Sequence, residues 1–233
     1  MDFARVEVLR LLGEHADVRT RVAEDFRDVD AMAGADFLVT YTCDLRLTRA
    51  EEDALAEFVA SGKRWFALHG TNSVFSFMDD GRVASPRMNA TLMKTLGSQF
   101  IAHPPIAPFS VTNCRPDHPL VKGIDTFEVE DELYLCEYHG EIEPLLATRF
   151  TGDADGFEER DWPDDEPRVV EYLHPVGKGE VLYLTLGHCR GPYDMRPLMD
   201  IYPRVERGAW ETDVYYELLR RGLRWAKGGL EAV

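Results

Sequence analysis

The sequence predicts an α/β fold in which an open, mostly parallel sheet carries helices on both faces. Two observations predict it. The runs RWFAL at 64–68 and EVLYLTL at 180–186 are short, apolar and bounded by turn residues. Strands covered on both faces show such runs, where half-exposed strands would alternate. The second observation is a strand, helix, strand unit. Asp36–Tyr41 reads as a strand, Thr48 with Glu51 makes a capping box that opens a helix over Arg49–Ser61, Gly62 ends it, and Arg64–Leu68 follows as the next strand. A crossover of this kind within one sheet is right-handed.

The remaining elements follow in chain order. Phe3–Leu12 places Phe3, Val6, Leu9 and Leu12 at helical spacing, and Val18–Val22 reads as a short strand. A helix at the start is unusual for a doubly wound fold, which ordinarily opens on a strand, so the alternatives are a missing first strand or a miscalled start codon. Met88–Leu96 reads as a helix ending at Gly97, Phe109–Asn113 and Leu145–Phe150 as strands, and Phe127–Tyr138 as a mixed acidic and aromatic strand region. Gly152–Glu166 is an acidic surface loop. Arg168–His174 and Glu180–Leu186 flank the turn PVGKG as a C-terminal hairpin, and Asp213–Lys227 closes the chain as an amphipathic helix. These segments interleave without a linker, so 1–233 is expected to be a single domain.

Composition narrows the function. A formal net charge of −16 opposes nucleic acid and anionic membranes, whose recognition needs clustered Lys and Arg. No apolar run approaches the ~18 residues of a membrane span. Cys43, Cys114, Cys136 and Cys189 are scattered, with no CxxC pair, and the N-terminus has no secretory signal pattern, so a cytoplasmic location with reduced thiols is expected. A small neutral ligand, or a cation, suits this surface, with self-association into a homo-oligomer left open.

The opening site candidates come from the strand Arg64–Leu68, which runs into His69, Gly70, Thr71, Asn72 and Ser73. In open α/β sheets ligands bind outside the carboxyl ends of the strands, where loops present small polar groups. His69, Thr71, Asn72 and Ser73 therefore stand as candidates, against the plainer reading of His69 as a strand cap. His188 follows the run Val181–Leu186 in the same manner.

The blocks LHGTNS, GxxFxxHP around Phe100 and His103, HPLVKGIDTFEVEDELY and GKGEVLYLTLGH occur in this order over nearly the whole chain. The sequence in this respect resembles the ThuA-like family, named for trehalose utilisation. That resemblance implies a flavodoxin-like sheet similar to class I glutamine amidotransferases. Those enzymes carry a nucleophilic cysteine at the turn that here reads LHGTNS. No cysteine lies there, so glutaminase activity is not expected.

The family-like positions instead gather His69, His103, His188 and Glu132 as catalytic candidates, with Thr71, Asn72, Phe100, Asp131 and Tyr134 as substrate-binding candidates. Histidine and a buried carboxylate are suited to proton transfer near neutral pH. The resemblance implies a disaccharide processed through a 3-keto intermediate by isomerisation, hydrolysis or elimination. The alternative is a non-catalytic carbohydrate-binding or assembly module. Asp131 and Glu132 are adjacent in a strand region and are expected to face opposite ways, one of them as a surface or turn residue. His118, before a proline, reads as a turn residue, and His15, His139 and His174 as structural. Tyr41, Trp65, Phe100, Tyr134, Tyr193 and Trp210 read as core before sugar platforms. Three histidines and a carboxylate also match the donors of a catalytic zinc site, which keeps a divalent metal as a possible cofactor. No HExxH or close histidine pair marks one, and no residue is assigned as a ligand.

Overall fold

The computed structural model describes residues 2–196 and 199–229. In chain order the elements are α1 (Asp2–Leu12), α2 (Val29–Ala33), β1 (Phe37–Tyr41), α3 (Arg49–Ala60), β2 (Arg64–Leu68), β3 (Ser76–Phe77), β4 (Val83–Ala84), α4 (Ala90–Leu96), β5 (Ser98–Ala102), β6 (Ala107–Asn113), β7 (Phe127–Asp131), β8 (Leu135–Tyr138), β9 (Glu143–Arg149), β10 (Gly152–Asp153), β11 (Asp161–Trp162), β12 (Pro167–Val176), β13 (Gly179–Leu184) and α5 (Asp213–Ala226). Seven strands form the main sheet in the order β1-β2-β13-β12-β9-β6-β7, and three two-stranded ladders, β3-β4, β5-β8 and β10-β11, stand beside it.

The fold is α/β and consistent with a flavodoxin-like architecture. Its sheet is mixed. β1, β2 and β13 are mutually parallel, whereas β13 to β12, β12 to β9, β9 to β6 and β6 to β7 are antiparallel. The expectation of a mostly parallel sheet thus describes only the half that begins at β1. The connections explain the division. β12 reaches β13 through the tight turn at Gly177 and Lys178, where Gly177 has φ of +61°, and a link that short permits only an antiparallel pair. The β1-β2 connection contains α3, long enough for a parallel crossover.

β2 is an interior strand, flanked by β1 and β13. Alternate residues feed two cores. Trp65 and Ala67 pack with Val181 and Tyr183 beneath α3 and α4, while Phe66 and Leu68 pack with Leu182 and Leu184 beneath α5. Each fully buried side chain of this size contributes about 1.5–3 kcal/mol of hydrophobic stabilisation. The continuous apolar run reflects this two-sided burial.

Local chemistry sets the helix ends. At α3 both halves of the capping box form: Thr48 accepts from the Glu51 N–H and Glu51 accepts from the Thr48 N–H. At the next residue, the buried Glu52 carboxylate accepts from the N–H groups of Thr91 and Leu92 at 2.8 and 3.1 Å, satisfying free donors at the start of α4. This fixes α4 at Ala90, two residues later than the apolar periodicity suggested.

Two further expectations are corrected. Val18–Val22 forms no strand; its residues 19–22 are exposed, and no neighbouring strand supplies a ladder. Phe127–Tyr138 is two strands rather than one. β7 stops at Asp131, the chain turns through 132–134, and β8 pairs with β5 instead of the main sheet. No strand precedes β1 among the described residues.

Candidate active site

Register places the site. Tyr41 and Leu184 both align with Leu68, so the carboxyl ends of β1, β2 and β13 lie side by side. The chain leaves β2 into a single 3₁₀ turn, His69–Asn72. His69 has φ of +44°, a conformation that costs a residue with a Cβ and persists only where surroundings enforce it. Enforcement is visible on both sides. The Tyr183 hydroxyl donates to the His69 carbonyl, and a Cβ on Gly70 would lie 2.7 Å from the Thr42 carbonyl oxygen. Glycine at 70 thus lets the turn sit against β1's exit.

Three imidazoles meet around one carboxylate. Glu132 lies 2.9 Å from His188 Nδ1, 3.5 Å from His69 Nε2 and 3.6 Å from His103 Nε2. Each ring's other nitrogen is anchored outward. His69 Nδ1 is 2.9 Å from the Thr185 carbonyl, His103 Nδ1 is 2.7 Å from the Pro104 carbonyl, and His188 Nε2 is 2.8 Å from Glu206 Oε2. A carbonyl can only accept, so the N–H of His69 and of His103 points outward, and in the neutral ring the lone pair points at Glu132. The Tyr134 hydroxyl, 3.2 Å away, donates to His69 Nε2.

Burial and charge pull the protonation equilibria apart. Burial works to raise the Glu132 pKa, but His103, His188 and His69 outweigh it and hold the carboxyl well below its usual range. Burial lowers His69 below the ordinary histidine value, only partly countered by Glu132 and Asp131. Burial also acts to lower His188, yet its hydrogen bonds to Glu132 and Glu206 prevail and push it up to about 9. Burial raises the Tyr134 phenol, with Glu132 adding to it, so that hydroxyl remains a donor.

Asp131 has a different part. Its carboxylate accepts four backbone N–H groups, those of Glu132 at 2.7 Å, Gly187 at 3.0 Å, His188 at 3.1 Å and Ala209 at 2.7 Å. Of the expected surface or turn residue, the turn is what the structure has: Glu132 follows the end of β7, and neither carboxylate is at the surface, since both are buried. β7 has ended by Glu132, so strand alternation no longer applies, and the turn directs both carboxylates inward.

The remaining candidates surround the cluster without all joining it. Thr71 donates to the Leu68 carbonyl at 2.8 Å and lies 3.2 Å from the Thr40 hydroxyl, bracing the turn. Asn72 is buried and donates to Ser98 Oγ at 2.9 Å. Ser73 is buried as well, its backbone N–H closing the 3₁₀ turn on the Gly70 carbonyl. Phe100 contacts Tyr134 at 4.6 Å between ring centroids, and Phe157 stands 4.8 Å from His103, so aromatic rings wall the side of His103. Tyr41 stacks on His69 at 5.9 Å and donates to the Gly187 carbonyl at 2.7 Å. His118 caps its own turn at Leu120, and His174 lies between the carbonyls of Glu141 and Lys94, both away from the cluster. His103, with 23% of its side chain exposed, is the most open of the four central groups.

Sequence reasoning missed Arg190, Tyr202 and Glu206. Arg190 and Glu206 pair through both backbone N–H groups, Arg190 donates to Glu206 at 3.1 Å and to the Tyr202 hydroxyl at 3.2 Å, and Tyr202 donates to Glu206 at 2.9 Å. This segment closes over the outer edge of His188. It has no periodicity to betray it, and only the adjacency of Arg190 to His188 offered a signal.

The sequence model of the ThuA family, described as trehalose utilisation, matches residues 3–204. No curated protein matches the chain in sequence at a significant level. Among solved structures, a ThuA-like protein of Bacteroides uniformis superposes with a TM-score of 0.64 at 15% identity, covering 96% of this chain and 82% of that one. A ThuA-like protein of Parabacteroides merdae gives 0.60 at 16% identity, covering 97% and 85%. At these identities the likeness is one of fold.

Proposed function

This chain belongs to the ThuA (trehalose utilisation) family, and from that premise we propose that it is a sugar-processing enzyme acting on a 3-keto-disaccharide or a related glycoside by acid and base chemistry. The observation that carries this reading is the convergence of His69, His103 and His188 on Glu132 at the carboxyl ends of parallel strands. A ligand-binding module needs no such set. Three rings, each with one nitrogen fixed by an outward partner and the other aimed at a common point, form an arrangement that holds and moves protons.

The chemistry is that of a carbonyl compound. In a 3-keto sugar the carbonyl acidifies the neighbouring C–H. A base takes that proton, and the electron pair moves onto the keto oxygen as an enolate. Return of a proton to a different carbon gives isomerisation, whereas expulsion of the glycosidic oxygen at the β-position gives elimination. Addition of water to the eliminated product completes a net hydrolysis. His103 is the more exposed group and is placed to take the carbon-bound proton, with the aromatic wall of Phe100 and Phe157 beside it as a surface for a sugar's C–H face. His188 and Tyr134 are the donors for the oxygen that gains charge.

The test incubates the protein with a panel of 3-keto-disaccharides and follows products by mass spectrometry. The expected result is conversion of at least one of them by the parent protein and its loss in Glu132→Gln. Absence of conversion across the panel, with unchanged sugars bound, returns the site to carbohydrate binding alone.

A further inference from the structure

We propose that His69 Nε2, Glu132 and His188 Nδ1 form a three-ligand site for a divalent transition-metal ion such as Zn²⁺. The inference names the cofactor of the cluster assigned above and rests on that cluster being the working site.

The first argument is complementarity. The outward N–H of His69 and that of His103 are committed to the carbonyls of Thr185 and Pro104, which leaves unshared pairs facing a carboxylate 3.5 and 3.6 Å away, with the long Tyr134 hydroxyl contact of 3.2 Å as the one donor on the His69 side. Acceptors facing an acceptor repel, and burial strengthens the repulsion. Filling all three inward positions with protons would bury three imidazolium rings around one carboxylate. A single cation seated among them, in place of the His188 proton, would be shared by the inward atoms of His69, Glu132 and His188.

The second argument is distance. Ligand atoms held ~2.0–2.2 Å from a tetrahedral zinc ion stand about 3.3 Å from one another. The three donor atoms here all lie within 4.8 Å of each other; His188 Nδ1 stands 2.9 Å from Glu132 Oε1 and His69 Nε2 stands 3.5 Å from Glu132 Oε2. Ordinary rotamer adjustment closes them on an ion.

The third argument is the surroundings of the ligands. Ligating histidines donate their second ring N–H to a carboxylate or a backbone carbonyl, which fixes the tautomer and orients the ring. His188 has Glu206 in that position and His69 has the Thr185 carbonyl. Two histidines with one carboxylate leave a coordination position open, and His103 Nε2 stands on that side, 3.6 Å from Glu132, where the keto oxygen of a bound sugar would meet the ion. When bound, such an ion would supply the positive charge for the keto oxygen in place of the His188 proton, with Tyr134 still a donor and His103 exchanging the carbon-bound proton.

The test strips the protein by chelation and dialysis, then titrates it with Co²⁺ while recording visible ligand-field absorption, with Zn²⁺ as competitor. About one equivalent per chain is expected, with absorption of a four- or five-coordinate ion. Glu132→Gln and His69→Ala should abolish it. Glu206→Gln leaves all three ligands in place and should weaken binding by about 10–100-fold, because only the orienting partner is lost. Circular dichroism establishes folding, and Glu206→Gln keeps the test decisive where a ligand variant fails to fold. Failure of Co²⁺ and Zn²⁺ to bind, or equal binding by Glu206→Gln and the parent, overturns the site. Turnover of a 3-keto-disaccharide by the stripped protein in chelator also overturns it and leaves the acid and base reading standing. Tight binding without turnover of any sugar upholds the metal site and removes the sugar reading instead.

Discussion

The Asp131 carboxylate accepts the backbone N–H of His188 at 3.1 Å, while the next residue, Glu132, holds the ring of the same histidine at 2.9 Å. Two consecutive carboxylates therefore grip one histidine by its main chain and by its side chain. The Asp131 grip extends to Gly187 and Ala209. Gly208 follows the carboxylate so closely, with φ of +48°, that a Cβ there would stand 2.7 Å from Asp131 Oδ2. Asp131→Asn keeps the shape but turns one oxygen into a donor that faces donors. Each buried N–H left unpaired costs about 1–3 kcal/mol. The expected result in chemical denaturation is a loss of about 2–5 kcal/mol, with activity lost alongside as the 187–188 turn moves. Wild-type stability in this variant would show that the four hydrogen bonds do not organise the loop.

His188→Gln addresses the ring itself. Glutamine preserves a polar side chain between Glu132 and Glu206, but it neither exchanges protons in the physiological range nor presents an imidazole nitrogen to an ion. The fold is expected to persist, since the loop's main chain is held by Asp131. Turnover of the sugar should fall by about 10²–10⁴-fold, the usual contribution of a general acid or base. Stopped-flow or discontinuous assay of purified, folded variant measures it, and full activity removes His188 from the chemistry.

How much of this was legible in sequence depends on whether a residue's role is local. The capping box at Thr48 and Glu51, the end of α4 at Gly97, the hairpin at Gly177 and the double burial of β2 are decided within a few residues, and each left its pattern. His69 and His188 were visible because both follow buried apolar runs that end at one edge of the sheet. The division of labour between Asp131 and Glu132 was hidden. It depends on β7 ending at Asp131, which in turn depends on backbone donors from 187 and 209, far along the chain. Beyond that hairpin, the antiparallel pairing of β12, β9, β6 and β7 was equally hidden, because apolar runs announce burial and say nothing of strand direction. Glu206 was invisible for a third reason: an acidic residue in a chain with 42 of them carries no signal until its partner is placed.

The cysteines provide a chemical check on the amidotransferase-like fold. Cys43 lies beside the Gly70 turn, where a Cβ on Gly70 would come within 3.2 Å of its sulfur, so it is the thiol nearest the position a nucleophile would take. Burial first, with Glu132 and Asp44 adding to it, pushes the Cys43 thiol up to about 12, and burial does the same to Cys136. At pH 8 such thiols are ionised in only ~10⁻⁴ of molecules. Iodoacetamide should therefore modify the exposed Cys114 well before the other thiols, and the protein should not hydrolyse glutamine. Rapid alkylation of Cys43 in the folded protein, read by peptide mass spectrometry, would contradict this.

Glu171 gives a prediction remote from the site. It lies in β12 at an irregularity of the ladder to β9, and both carboxyl oxygens are buried with no hydrogen-bond partner among the described residues. Burial raises its pKa from the ordinary 4.5 to about 8, with Arg221 opposing only in part. The sign follows from proton counting. Between about 4.5 and 8 the native state keeps a proton that the unfolded chain has released, so the unfolded state binds fewer protons and stability falls as pH rises. The stabilisation is complete below 4.5 and is lost as pH climbs through about 8, beyond which the carboxylate is ionised in both states. At ~1.4 kcal/mol per unit of pKa difference, the full change is on the order of a few kcal/mol. Glu171→Gln cannot ionise and should lack this component. Urea melts of parent and variant at pH 5 and pH 9 isolate it, because every other titrating group cancels in the difference between the two proteins. The parent should lose several times more stability than Glu171→Gln over that span. Parallel pH profiles would mean that the Glu171 carboxyl is paired or hydrated in solution and ionises in its ordinary range.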